Sequence, residues 1–73
     1  MRDLSAVGSL GVLTVATRGS QGAGEVLVSL RGGSESLLAW SDEPLPKGTH
    51  VMVIDAIATR TVRVVRAEDG PMA

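Results

Sequence analysis

Apolar and polar residues alternate with a period of two along much of this chain, and glycine and proline cut the pattern into short lengths. That punctuation is the mark of a small all-β domain. The clearest run is Glu25–Arg31, where Val26, Val28 and Leu30 share one face. Glu25, Ser29 and Arg31 share the other, with Leu27 as its apolar exception. One face belongs in a core and the other in water. A longer first strand is predicted over about residues 8–17, with Gly11 as the place for a bulge or sharp bend. The stretch Arg18–Gly24 carries Gly19, Gly22 and Gly24 and reads as a hairpin connection. Gly32 and Gly33 turn the chain into a third strand, Glu35–Ser41, which holds Leu37, Leu38, Ala39 and Trp40. Pro44 and Pro46 exclude a regular strand from the connector Asp42–Gly48. The fourth strand, Thr49–Ile57, is apolar on both faces: Val51 and Val53 on one, Met52 and Ile54 on the other. That pattern predicts a central strand or one covered on its outer side. After a turn at Ala58–Arg60, a fifth strand points Val62 and Val64 inwards and Thr61 and Arg63 outwards.

Five short strands, the first long and bent, with no segment of helical period, predict an all-β fold. A small five-stranded, OB-fold-like Greek-key barrel fits best, and an SH3-like barrel is the alternative. A chain of 73 residues buries only about 60% of its unfolded surface, so it supports one core. Residues 1–7 are expected to lead in, 8–66 to form the barrel, and 67–73 to make a flexible tail. Trp40 is the sole aromatic residue. The core must therefore be aliphatic, which favours strands.

Charge and composition then remove whole classes of function. Seven basic against eight acidic residues give a net charge of -1, which supplies no field for drawing in phosphate backbones. The chain has no cysteine and a single histidine, His50, so disulfides, thiolate sites and a dedicated zinc site are not expected. No cofactor is implied. The longest apolar runs, Leu37–Trp40 and Val51–Ile54, fall far short of the roughly 20 residues a spanning helix needs. No direct membrane insertion is expected. Met1–Gly8 lacks the apolar run of a secretory signal, and Asp3 would be out of place in one. These features point to a cytoplasmic location.

No catalytic constellation emerges. Gly19-x-x-Gly22-x-Gly24 has the wrong order for a dinucleotide fingerprint and no helix after it, and Lys47-Gly48-Thr49 inverts the order of a phosphate-binding loop. Ser41, His50 and Asp55 are the minimum cast for acyl transfer. On a regular strand, though, positions 50 and 55 point to opposite faces, and contact would need a bulge. Asp42 and Glu43, adjacent acids before two prolines, read as a solvated loop rather than an acid–base pair.

Five blocks in order carry a resemblance: Gly8-x-x-Gly11-Val12-Leu13-Thr14, Gly24-Glu25-Val26-x-Val28, Ala39-Trp40-Ser41, Leu45-Pro46-Lys47-Gly48-Thr49-x-Val51-x-Val53, and Val62-x-Val64. Together they resemble the soluble C-terminal domain of NfeD-family proteins over about residues 8–66. The resemblance implies a five-stranded OB-like barrel, usually joined to membrane-spanning helices. It also implies a partner, a stomatin- or flotillin-like membrane scaffold, which would bring the domain to the membrane surface. Some larger family members carry a serine protease domain. Neither spanning helices nor a protease domain lie within these residues, so membrane-internal roles and peptide cleavage are not carried over. A freestanding or excised barrel is expected. The glycine-rich turn after the first strand also departs from the family's shorter, proline-containing turn.

What remains is a non-catalytic module for protein docking. Leu27, on the polar face of strand two, Val65, on the outer face of strand five, and Trp40 are the candidate interaction residues. Edge strands offer a route to self-association or strand addition. The alternative is a single-stranded nucleic-acid-binding OB domain that stacks bases on Trp40. It is disfavoured, because Arg60 and Arg66 share one strand parity and Arg63 has the other, so no single basic stripe forms.

Overall fold

A computed structural model describes residues 6–30 and 32–69. Its strands are β1 (Leu10–Val15), β2 (Gly24–Leu30), β3 (Gly33–Trp40), β4 (His50–Ala58) and β5 (Thr61–Arg66), followed by a 3-10 turn at Ala67–Asp69. They close into a barrel in the order β1-β2-β3-β5-β4. Every neighbouring pair is antiparallel except β3 and β5, which run parallel. A β1 shared between β2 and β4, with a parallel pair completing the ring, is the OB arrangement and removes the SH3-like alternative.

The alternation read in β2 is realised. Val26 and Val28 are fully buried, while Glu25, Leu27 and Ser29 face out. Inward side chains from all five strands, led by Leu13, Val28, Leu37, Val53 and Val64, fill the barrel without any aromatic ring. Leu30 and Gly33 are paired across the β2–β3 hairpin, and Gly32 takes the left-handed step at φ 83°.

Three expectations need adjustment. The irregularity in β1 lies between Leu13 and Val15, not at Gly11. Gly11 instead pairs with Val28 on one side and Val51 on the other. A Cβ there would sit 2.6 Å from the Leu27 carbonyl oxygen and 2.8 Å from Val26 Cγ2, so the glycine permits close approach rather than a bend. In β4 the register slips between Val53 and Asp55 and again between Ala56 and Ala58. The inward series therefore runs Val51, Val53, Ala56, and Ile57 is left 40% exposed. Finally, barrel closure gives every strand two neighbours, so no strand is an edge along its whole length. The edge-strand route to self-association narrows to the stretches of strand that stay unpaired on one side.

Ala6, in the expected lead-in, is fully buried in the core cluster. Just after it, Gly8 N–H donates to the Val53 carbonyl at 2.8 Å and Val53 N–H to the Ser9 carbonyl at 2.9 Å. These bonds prolong the β1–β4 pairing towards the N-terminus. The remaining lead-in residues 1–5, Arg31 of the second strand, and tail residues 70–73 lie outside the described residues. Among the described residues no helix is long and apolar enough to cross a membrane.

Candidate functional site

The residues proposed for acyl transfer are engaged elsewhere. Ser41 is 5% exposed and Thr17 2% exposed, and their hydroxyls lie 2.7 Å apart. Ser41 Oγ donates to the Glu43 carbonyl at 2.6 Å, and Thr17 Oγ1 accepts from the Leu45 amide at 2.8 Å. Thr17 N–H returns a bond to the Leu45 carbonyl at 2.9 Å. This clasp ties the end of β1, the end of β3 and the proline-flanked connector together. Thr17→Val removes the oxygen and leaves the buried Leu45 amide unpaired, a loss of about 1–3 kcal/mol. Urea unfolding should show it, and an unchanged midpoint would mean that the clasp carries no stability.

His50 and Asp55 illustrate how a bulge alters a parity argument. The slip after Val53 turns both Ile54 and Asp55 away from the core, so His50 and Asp55 are both exposed. Shared exposure does not bring them together. His50 pairs with Val12 while Asp55 pairs with Arg63, and five residues of extended strand span about 15 Å. The Asp55 carboxylate instead accepts from the Ala56 amide at 2.9 Å. Among the described residues no three His, Asp or Glu side chains could jointly hold a metal ion. Of the former phosphate-loop candidates, Gly48 donates its N–H to the Leu13 carbonyl and Thr49 its N–H to the Pro46 carbonyl, while the Gly22 carbonyl accepts from Arg18 N–H.

The outer surface carries the more telling arrangement. Leu27 faces Val12 across the β1–β2 ladder. Leu10, two residues before Val12 and on the same face, pairs with Met52, which pairs in turn with Val65. Leu27, Val12, Leu10, Met52 and Val65 thus form one apolar stripe over four strands. Leu10 is 58% exposed and Leu27 38%, and the other three are half-buried. A shallow depression of about 330 Å³ lies along it, floored by Leu10, Val12 and Leu27 and bordered by Ser29, Ser34 and His50. The stripe takes in Met52 of the apolar outer face of β4.

Two of the three sequence candidates, Leu27 and Val65, therefore meet on one surface. Trp40 does not join them. It is half-buried and lines a separate cleft of about 400 Å³ with Ser20, Ile57 and Arg63. Arg63 faces Trp40 across the β3–β5 seam and stands two residues before Val65, with its Asp42 partner 3.1 Å away. Leu10, Val12 and Met52 escaped the sequence reading. Both faces of β1 and β4 are apolar, and only the register shows which face looks outwards. Among the described residues the basic side chains form no stripe: Arg60 sits in a turn and pairs with Glu35 at 3.1 Å.

Comparison with known proteins agrees with this architecture. Residues 10–65 match the sequence profile of the NfeD C-terminal domain. The fold is similar to the solution structure of the soluble domain of the NfeD protein YuaF from Bacillus subtilis, with a TM-score of 0.69 and 32% identity. That similarity covers 86% of this chain and 75% of the other. Comparison with curated protein sequences gives no match. Profile, barrel topology and the five sequence blocks coincide over the same residues, and the chain belongs to the NfeD family as a C-terminal-type domain.

Proposed function

We propose that this barrel is a non-catalytic docking module whose apolar stripe seats a protein partner. The contiguity of Leu27, Val12, Leu10, Met52 and Val65 across four strands is the observation that carries the reading. Isolated exposed leucines are ordinary, whereas a connected apolar patch on a small domain is a recognition surface. The partner that best suits the resemblance is a stomatin- or flotillin-like scaffold, which would hold the domain at the cytoplasmic face of a membrane without any insertion of its own. Nucleic acid is the weaker reading. Arg60 and Arg63 are tied to Glu35 and Asp42, and the one aromatic ring is half-buried.

Leu10 and Leu27 give the test, because both side chains point to solvent and can be changed without touching the core. Leu10→Asp and Leu27→Asp should each weaken binding to a purified stomatin- or flotillin-type scaffold from the same cell at least about tenfold, some 1.4 kcal/mol. Unfolding midpoints should barely move. Titration calorimetry, repeated after nuclease treatment, checks both points. Binding that survives both substitutions, or that nuclease abolishes, would sink this reading.

A further inference from the structure

The barrel is closed, yet its closure is incomplete along β3. On one side β3 pairs with β2 from Gly33 to Ala39. On the other it meets β5 only at Leu38, Ala39 and Trp40. Gly33–Leu37 therefore has no strand neighbour on that side among the described residues. The phase of the ladder says which groups are presented there. Leu38 N–H points towards β5 and donates to the Arg60 carbonyl at 2.9 Å. By the two-residue period, the backbone groups of Ser36 and Ser34 project to the same side.

Arg60 lies across this opening. It is the only residue other than glycine with positive φ among those described, at 55°, a backbone state that side chains other than those of Asn and Asp rarely adopt. From the β4–β5 turn its side chain returns to β3. Nη2 donates to the Ser36 carbonyl at 3.3 Å, and Nη1 to Glu35 Oε2 at 3.1 Å. The guanidinium thus occupies both a backbone acceptor and the neighbouring carboxylate of the open edge. Charged side chains laid on an edge are a known means of blocking strand addition.

We infer that the Ser34–Ser36 edge of β3 is a strand-addition site gated by Arg60. Its occupant is an extended segment of a partner protein bearing a lysine or arginine, which takes over Glu35 from the Arg60 guanidinium. Charge selects this occupant over a second copy of the chain. Antiparallel pairing of two such edges, Ser34 against Ser36, would set Glu35 opposite Glu35, and like charges placed so are destabilising. A basic segment brings the opposite charge to the same place. The inference concerns the edge rather than the apolar stripe, so its failure would leave the stripe reading intact.

A suitable probe is the β5 sequence itself, a blocked peptide of Thr61–Arg66, because β3 already accepts that strand alongside and it carries Arg63 and Arg66. Arg60→Gly removes the gate while suiting the positive φ, so folding is retained. Binding of this peptide to the Arg60→Gly domain should be at least tenfold tighter than to the unchanged domain, with the Ser34 and Ser36 amides newly protected from hydrogen exchange. A peptide with both arginines replaced by glutamate should not bind. A natively folded Arg60→Gly domain that binds no tighter, or with protection elsewhere, would overturn the inference. Concentration-dependent dimerisation of Arg60→Gly without peptide would also overturn it, by making a second copy the occupant.

Discussion

Leu45→Ala is expected to remove a large share of the domain's stability, and at the upper end of the range nearly all of it. Leu45 is 1% exposed although it stands between two prolines in a connector, and it belongs to the same core cluster as the strand residues. Its amide and carbonyl are both fixed by Thr17, so the backbone cannot follow a shortened side chain inwards. A cavity remains, and truncations of this kind cost about 2–5 kcal/mol. Small domains begin with roughly 5 kcal/mol or little more. Urea or thermal unfolding followed by circular dichroism measures the loss directly. A change below about 1 kcal/mol would mean that Leu45 is not a plug of the barrel end.

Gly24→Ala should be comparably severe for the opposite reason. A Cβ at Gly24 would press on the Val15 carbonyl oxygen and sit 2.6 Å from that of Ala16. Both are backbone atoms, so no rotamer change relieves the contact. Overpacking typically costs about 1–3 kcal/mol and more when the obstacle cannot move. We expect the upper end, about 3 kcal/mol, because Gly24 also holds the first rung of the β2–β3 ladder opposite Ala39. Gly33→Ala supplies the control, since a Cβ there meets nothing within 4 Å. The same unfolding measurement compares them. Equal stability of the two variants would contradict the approach of β1 to β2.

Much of the barrel was readable in the residues because β2 keeps an apolar residue at every inward position and glycine and proline mark the connections. The remainder depends on features without a residue signature. The slips at Thr14, Ile54 and Ile57 follow from bending strands into a closed ring, and each changes which side chains look outwards. That is why opposite parity was expected for His50 and Asp55 while both are exposed. Leu45 read as a loop residue because proline flanks it, and nothing local announces that a loop side chain fills a barrel end. Thr17 and Ser41 lie far apart in sequence, so their shared clasp appears only once the strands are closed. Of the docking stripe, Leu27 was visible as an exception within β2, whereas Leu10, Val12 and Met52 sit in strands apolar on both faces.

The partial closure along β3 also bears on how the chain reaches its native state. Two hairpins, β2–β3 and β4–β5, join residues near in sequence. The three-pair contacts that close the ring, β1 with β4 and β3 with β5, join remote positions, Gly11 with Val51 and Leu38 with Thr61. Chain entropy must be lost before such distant pairs repay it, and few pairs are there to do so. The hairpins are therefore the early, local events, and the two seams set the height of the folding barrier. The β3–β5 seam, only three residue pairs long and without the added bonds that extend β1–β4, is where the native ring is expected to come apart first.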